Sequence, residues 1–144
     1  MERWFEFMGN HPILFGLMGV LVFMLLTLDS KRSGKKISPS ELGLLVNQQN
    51  AQIIDIRDKK KFESGYIQGS RNIPFLKLKD KLEELRAIEN PIIVVCEMGI
   101  QAGAAVQLIG KDNVYRLEGG TVGWQSAGMP LVGGESKNKK KAKK

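Results

Sequence analysis

One stretch of the sequence decides the fold, and it reads Ile92-Ile93-Val94-Val95-Cys96-Glu97-Met98-Gly99-Ile100-Gln101-Ala102-Gly103-Ala104-Ala105-Val106. Four β-branched residues lead directly to the only cysteine of the chain, which favours a buried strand. The alanine-rich segment that follows favours a helix. The stretch therefore predicts a strand, a turn and a helix, with a thiol at the carboxyl end of the strand. Amide groups of the turn and of the helix N-terminus are expected to point at the sulfur and to favour its thiolate.

The length and the charge of the chain limit the kind of protein it encodes. Its 144 residues support one domain with some additional sequence. The formal net charge is +7, but the segment from 37 to 134 contains eleven Lys or Arg and eleven Asp or Glu residues. The positive excess lies in the flanking segments, at 31–36 and 137–144. A nucleic-acid partner is therefore not expected, because such binding needs basic side chains clustered on the folded domain.

The cysteine and histidine content argues against an intramolecular disulfide and against a metal site. The single cysteine, Cys96, cannot form an intramolecular disulfide, and a free thiol is typical of a reducing compartment. The lone His11 has no other metal ligand at a suitable spacing. The sequence therefore predicts neither a bound metal nor a cofactor.

The N-terminal segment, residues 1–28, is predicted to be a transmembrane anchor. Residues 12–28 carry no charge, and a helix rising about 1.5 Å per residue would carry them across most of a hydrocarbon core of about 30 Å. A cleaved signal peptide is less favoured, because residues 1–6 lack a basic region and no small-residue cleavage site follows. A buried helix of a soluble domain is the third alternative. Four cationic residues follow the apolar run, so the positive-inside rule predicts an N-terminus outside and a cytoplasmic C-terminal side.

Residues 37–132 have the pattern of an α/β domain, which a basic linker at 29–36 joins to the anchor. Apolar strands are predicted at 51–56, 92–95 and 114–117. Helices are predicted after the capping residue Ser38 and at about 58–64, 75–87 and 100–109. This alternation predicts a parallel sheet covered by helices on both faces. The functional crevice is expected at the carboxyl ends of the strands, where residues 55–57 and 96–101 fall.

Residues 133–144 are rich in Gly, Ser, Asn and Lys and are predicted to form a disordered tail. Two interpretations stay open. The lysines are either a solvated end or a contact with anionic lipid headgroups, near which the anchor would hold them. Ribosomal RNA is a weaker candidate partner.

Three motifs, in order along the chain, resemble the signatures of rhodanese-like domains. The first consists of Asp55-Ile56-Arg57, Gly65-Tyr66-Ile67 and Asn72-Ile73-Pro74. The second is the six-residue loop Cys96-Glu97-Met98-Gly99-Ile100-Gln101. The third consists of Leu117-Glu118-Gly119-Gly120, Gly123-Trp124 and Gly128-Met129-Pro130. The resemblance covers about residues 37–132, and with the N-terminal segment the chain resembles the membrane-anchored, single-domain bacterial members of that family.

The resemblance implies a five-stranded parallel sheet flanked by helices, and sulfur transfer as the activity. Cys96 would be the nucleophile that accepts sulfur from thiosulfate or another sulfane donor as a persulfide and passes it to a thiol acceptor. Backbone N–H groups of the following six residues would bind the substrate: Glu97, Met98, Gly99, Ile100, Gln101 and Ala102. The implied location is the bacterial inner membrane, with the rhodanese-like domain in the cytoplasm. A membrane protein is a further candidate partner.

The side-chain chemistry of Cys96, Asp55 and Arg57 indicates which of them reacts and which support the site. A lone cysteine that ends an apolar strand is often only a small buried side chain, but the surrounding motifs favour a reactive thiol. A carboxylate at a strand end can hold neighbouring loops by hydrogen bonds. Asp55 and Arg57 are therefore expected to support the site rather than to take part in the reaction.

The loop departs from the usual rhodanese loop in its charge. Many active members carry arginine or lysine where this chain has Gln101, and Glu97 adds a negative charge beside the thiol. Both differences weaken the binding of a dianion such as thiosulfate, whereas a persulfide or a protein-bound donor brings less charge. A cysteine phosphatase is not expected, because the arginine that it needs would fall at Ala102. Two functions stay open: a sulfurtransferase, or a weakly active or inactive rhodanese-fold binding module that positions a partner at the membrane.

Overall fold

The computed structural model describes residues 2–32 and 34–133 and divides the chain into two compact units, Met1–Arg32 and Ser33–Lys144. The first unit contains the helices α1 (Glu2–Asn10) and α2 (Pro12–Arg32). The strands of the second unit are β1 (Lys35–Ile37), β2 (Gln52–Asp55), β3 (Arg71–Asn72), β4 (Ile92–Val95) and β5 (Val114–Leu117). Its α-helices are α3 (Pro39–Gln49), α4 (Lys59–Ser64), α5 (Leu82–Ala87), α6 (Ile100–Ile109) and α7 (Gly120–Ser126), and a 3₁₀ helix (Phe75–Lys81) directly precedes α5.

The N-terminal unit differs from the predicted membrane span. Its helix is interrupted at His11, which separates α1 from the apolar run of α2. The uncharged run within α2 covers only residues 12–28, about 26 Å at about 1.5 Å per residue. Among the described residues, no helix combines the length and the apolar character needed to cross a membrane. The transmembrane helix predicted within residues 1–28 is therefore not supported.

The five strands of the second unit form one parallel sheet in the order β1-β5-β4-β2-β3. This confirms the α/β class and the five-stranded parallel sheet flanked by helices. The strands predicted at 92–95 and 114–117 are those observed. The edge strand β1, in which Ile37 pairs with Leu117, falls within and beside the predicted linker. Its first two residues, Lys35 and Lys36, are exposed, so no apolar pattern marks it in the sequence.

Hydrophobic clusters cover both faces of the sheet. Alternate residues of β4 enter different clusters: Ile92 and Val94 pack on one face, and Ile93 and Val95 on the other. Helices α5 and α6 and the 3₁₀ helix supply the first cluster, whereas α3 supplies the second. Because both faces are covered, β4 consists entirely of buried apolar residues, as a central parallel strand should.

Two of the predicted helices show how local sequence acts. The predicted start of α3 is confirmed by a capping box, in which the Ser38 hydroxyl accepts a hydrogen bond from the Glu41 backbone and the Glu41 carboxylate accepts one from the Ser38 backbone. The helix predicted at 75–87 is instead a 3₁₀ helix followed by α5. Phe75 and Leu78, three residues apart, both contact the core, which suits the three-residue repeat of a 3₁₀ helix.

The structure places regular elements within the predicted linker, adds one helix that was not predicted, and describes only one residue of the predicted tail. The predicted linker, 29–36, contains the end of α2 and the first two residues of β1. Helix α7 was not predicted, since its sequence is rich in glycine. The predicted tail lies outside the described residues, apart from Gly133.

Candidate active site

The site lies where β2 and β4 end side by side. Asp55 pairs with Val95 in the sheet register, and the Ile56 amide donates a hydrogen bond to the Val95 carbonyl at 2.9 Å. The chain therefore leaves the two strands at the same edge, with Arg57 following one strand and Cys96 following the other. The carboxyl edge of the sheet thus brings together the first two sequence motifs.

Cys96 lies at the base of the loop, with its side chain almost entirely covered. The residue is 2% exposed, and its Sγ atom accepts a hydrogen bond from the Gly99 amide at 2.9 Å. Gly99 has φ +89°, a conformation that favours glycine and turns the loop back toward the sulfur before α6 begins. An amide that donates to sulfur at this distance stabilises a thiolate more than a thiol.

The opposite side of the loop is held by the N-terminus of α7. The Thr121 amide donates to the Cys96 carbonyl at 2.9 Å, and the Val122 amide donates to the Glu97 carbonyl at 3.1 Å. Gly120 makes this approach possible: a Cβ atom there would lie 2.2 Å from the Cys96 carbonyl oxygen. The glycine pair of the third motif therefore provides the space in which the cysteine loop packs.

A cavity of about 540 Å³ opens above the thiol. Its lining combines the ends of β2 and β4, helix α4, the 3₁₀ helix and the first turn of α6: Ile56, Arg57, Asp58, Lys61, Phe75, Leu76, Cys96, Glu97, Met98, Ile100 and Gln101. A cavity of this size and lining can admit a small sulfur compound or one side chain of another protein.

A cation lies at the mouth of the cavity although the loop itself has none. The Lys61 ammonium, on α4, forms an ion pair with the Glu97 carboxylate, and both side chains remain about half exposed. The hydrogen bond and the charge of Lys61 hold the pKa of Glu97 below its usual value, and the Arg57 charge acts in the same direction. Glu97 is therefore ionised at neutral pH and is partly neutralised by Lys61.

Asp55 and Arg57 form a buried ion pair beneath the cavity. The Arg57 guanidinium donates from Nε to both Asp55 carboxylate oxygens at 3.0 Å and from Nη2 to one of them at 2.7 Å. Nη2 also donates to the Gly65 carbonyl at 2.7 Å, and the Asn72 side chain donates to the carbonyls of Asp55 and Arg57. Asp55 is fully buried and Arg57 is 8% exposed. These contacts hold the loop after β2 against the end of α4 and the end of β3, while Arg57 also lines the cavity.

The six loop residues that were predicted to bind substrate occupy three different environments in the structure. Gly99 supplies the observed N–H contact to sulfur. Glu97, Met98, Ile100 and Gln101 line the cavity, whereas the fully buried Ala102 packs in the core.

Four lining residues were missed from the sequence: Asp58, Lys61, Phe75 and Leu76. Asp58 directly follows Asp55-Ile56-Arg57 of the first motif. Lys61 precedes its partner Glu97 by 36 positions, so no local spacing signals the pair. The Asn72-Ile73-Pro74 motif, which directly precedes Phe75, is the one signal that points to Phe75 and Leu76.

Comparison with known proteins agrees with this geometry. The sequence model of the family described as "Rhodanese-like domain" matches residues 38–127. The uncharacterized protein YibN of Escherichia coli strain K12 is 32% identical over 143 residues, which cover 94% of this chain and 100% of YibN. The thiosulfate sulfurtransferase GlpE of Shewanella oneidensis is 34% identical over 98 residues, 66% of this chain and 96% of GlpE.

A solved structure extends the similarity to the fold. The rhodanese-related protein from Thermoplasma volcanium has a TM-score of 0.62 at 27% identity, over 69% of this chain and 98% of that one. Residues 38–127, which the family model matches, contain the strands β2 to β5, the cysteine loop and most of the third motif. The chain belongs to the rhodanese-like domain family.

Proposed function

We propose that this protein is a sulfurtransferase that carries sulfane sulfur as a persulfide on Cys96. The observation that carries the proposal is the hydrogen bond from the Gly99 amide to Sγ of Cys96, at the base of an open cavity. A donor at this position stabilises anionic sulfur both before and after the transfer. The similarity to GlpE, which is described as a thiosulfate sulfurtransferase, supports the same class of reaction.

The reaction consists of two displacements at sulfur. In the first, the Cys96 thiolate attacks the outer sulfur of thiosulfate, the sulfur–sulfur bond of the donor breaks, and sulfite leaves with the electron pair. A persulfide donor reacts in the same way and leaves as a thiolate. In the second, an acceptor thiolate attacks the outer sulfur of the Cys96 persulfide, and Cys96 leaves as a thiolate. Neither displacement needs an external oxidant or reductant.

The charges around the cavity favour a donor of low charge. Glu97 opposes a dianion, Gln101 offers no positive charge, and the Lys61 ammonium is already paired with Glu97. A persulfide carried by a small thiol or by a protein brings one negative charge at most to the sulfur. We therefore infer that persulfide donors react faster than thiosulfate.

The second candidate function is a rhodanese-fold binding module with little turnover. It is favoured by Glu97, whose carboxylate stands at the mouth of the cavity where an anionic donor must enter. In this alternative the cavity would receive a side chain of a partner protein at the membrane.

We further propose that residues 1–28 attach the protein to a bacterial inner membrane, with the rhodanese-like domain on the cytoplasmic side. Support comes from α2, on which large apolar side chains such as Leu14, Leu17, Leu21 and Phe23 are all more than half exposed. A helix that is apolar on every side is stable when lipid or another apolar surface covers it.

The sulfurtransferase proposal is tested by mass spectrometry of the purified full chain after treatment with thiosulfate or with glutathione persulfide. Cys96 should gain one sulfur atom that cyanide removes, and it should do so faster with the persulfide. The Cys96→Ser variant is the control and should gain none. If no donor places cyanide-removable sulfur on Cys96, the enzymatic function is wrong and the binding module becomes the better account.

A further inference from the structure

An apolar rim surrounds the mouth of the cavity. It consists of Leu76, Met98 and Ile100, which are 88%, 65% and 78% exposed, and each of them lines the cavity. Only five large hydrophobic residues are exposed within residues 34–133, and three of them are in this rim. Thiosulfate has no apolar surface that could use the rim. Clustered apolar side chains around a reactive group are typical of a contact with another protein.

A cationic groove lies beside the rim. It is a second cavity of about 440 Å³ between α4 and the 3₁₀ helix, and four cationic residues line it: Lys59, Arg71, Lys77 and Lys81. Two carboxylates form ion pairs with three of these four residues. Glu63 is paired with Lys59 at 3.9 Å, and Glu84 is shared by Arg71 at 2.5 Å and Lys81 at 3.2 Å. Within residues 34–133, Lys77 has no ion-pair partner, so the groove carries a net positive charge.

The apolar rim and the cationic groove are built on the same two elements. Helix α4 contributes Lys61 to the active-site cavity and Lys59 to the groove. The 3₁₀ helix contributes Leu76 to the cavity and the adjacent Lys77 to the groove. We call this surface, the apolar rim with the cationic groove, the docking face.

The overall charge of the domain does not reveal the positive charge of the docking face. Residues 37–134 are neutral overall, but seven of their eleven cationic residues lie between 58 and 81, together with only three acidic residues. All seven are exposed. The segment 58–81 therefore carries a net positive charge, which carboxylates from outside it offset only in part, through the ion pairs of Glu84 and Glu97.

We propose that the docking face binds an acidic, partly apolar segment of a protein that donates sulfur to Cys96 or accepts it. Carboxylates of the partner would contact the cationic groove, and apolar side chains would pack on the rim. Because Cys96 is only 2% exposed, the partner's sulfur must enter the cavity on an extended side chain, which the surrounding contacts would align. The identity of the partner as a sulfur carrier rests on the proposed function, whereas the docking itself does not.

Two other anionic surfaces fit the observations less well. A nucleic acid would match the lysines but would leave the apolar rim without a contact. An anionic bilayer would match both features, but it would cover the mouth through which sulfur must pass. A protein segment can occupy both parts of the face and deliver sulfur into the cavity.

Binding is tested with the purified full chain and a fluorescein-labelled peptide of sequence Asp-Glu-Leu-Ser-Phe-Glu-Asp, which carries no thiol. Fluorescence anisotropy near physiological ionic strength, where charges are screened beyond about 8 Å, should show binding about tenfold tighter than for Lys-Lys-Leu-Ser-Phe-Lys-Lys. Lys77→Glu should weaken binding of the acidic peptide about fivefold or more. Lys79→Glu is the matched control, since Lys79 is exposed on the same 3₁₀ helix but lines neither cavity, and it should have little effect.

Transfer is then tested with the same acidic peptide carrying Cys in place of Ser. Lys77→Glu should slow sulfur transfer from the Cys96 persulfide to this peptide more than transfer to 2-mercaptoethanol. If peptide binding has the expected pattern but Cys96 takes up no sulfur from any donor, docking stands and the sulfurtransferase function is wrong.

Three results would overturn the docking proposal. Equal affinity for the acidic and basic peptides would show that charge complementarity is absent. Equal losses in Lys77→Glu and Lys79→Glu would show that only the overall charge acts. Vesicles containing phosphatidylglycerol that bind the chain in a Lys77-dependent way, without peptide binding, would assign the face to the membrane.

Discussion

At the scale of single residues, the charged side chains around Cys96 decide how strongly the site attracts an anion. From the loop alone, Gln101 and Glu97 predict a weak field for thiosulfate, but the fold places Lys61 against Glu97. The cation that pairs with Glu97 therefore comes from α4 rather than from the loop. Because it is paired, its charge is available to a donor only in part.

The Lys61–Glu97 pair can be tested by neutralising each partner in turn. Glu97→Gln should raise kcat/KM for thiosulfate about three- to tenfold by releasing Lys61, and Lys61→Gln should lower it by a similar factor. The change should appear mainly in KM and should shrink at high ionic strength, since it acts through charge. Lys60→Gln, on the same helix but outside the cavity lining, is the control.

The pH dependence of this effect follows from the pKa of Glu97. Lys61 holds this pKa below 4.5, so the carboxylate loses its charge only as the pH falls through that lowered value. The ratio of the two kcat/KM values, Glu97→Gln to wild type, should therefore be constant from about pH 6 to 9. If Glu97→Gln and Lys61→Gln both decreased the activity, the Lys61–Glu97 pair would act by holding the loop rather than by its charge.

At the scale of secondary-structure elements, the N-terminus of α7 explains why the cysteine loop keeps its shape. Amides at the start of α7 hold the carbonyls of Cys96 and Glu97, while the Gly99 amide on the other side of the loop faces the sulfur. The geometry of the thiol thus depends on a short helix that begins 24 residues after it. The glycine at the start of α7 is needed because any side chain there would occupy the space of the loop carbonyls.

Gly120→Ala should damage both stability and the site. Its φ of +59° strains an alanine, and the added Cβ would collide with the carbonyl oxygens of Cys96 and Glu97. We expect the free energy of unfolding to fall by about 3 kcal/mol or more in urea denaturation. Gly128→Ala is the matched control, because its φ of +80° brings the same strain but no atom lies within 4 Å, and it should cost about 1 kcal/mol. Equal losses would show that the collision is relieved by movement of the loop.

At the scale of the whole molecule, the two compact units have different surfaces. The first exposes apolar side chains along α2, whereas the second buries its apolar residues on the two faces of the sheet. This difference is the reason for proposing that residues 1–28 attach the protein to a membrane.

Membrane attachment is tested by cell fractionation with and without residues 1–28. The full chain should sediment with bacterial inner membranes, and the shortened chain should be released from them. A shortened chain that still sediments would assign attachment to the lysine-rich end or to a partner. Protease added outside intact cells should leave the rhodanese-like domain uncut, and its digestion would contradict the proposed cytoplasmic location.

The sequence by itself determined the elements that depend on near neighbours. The apolar run from Ile92 to Val95 predicts β4, because a strand buried on both faces needs apolar residues at every position. The capping box at Ser38 predicts the start of α3, because its hydrogen bonds join residues three apart. Three spaced motifs identify the family and the candidate nucleophile.

Only the tertiary structure decided the features that depend on distant contacts. The Lys61–Glu97 pair, the α7 amides on the loop and the docking face all join residues from separate elements. The sequence likewise predicted no strand at β1, whose pairing is supplied by β5. The physical reason is common to all of them: local sequence sets backbone preference and amphipathic pattern, whereas the field around Cys96 depends on which distant charges and amides the sheet brings to its carboxyl edge.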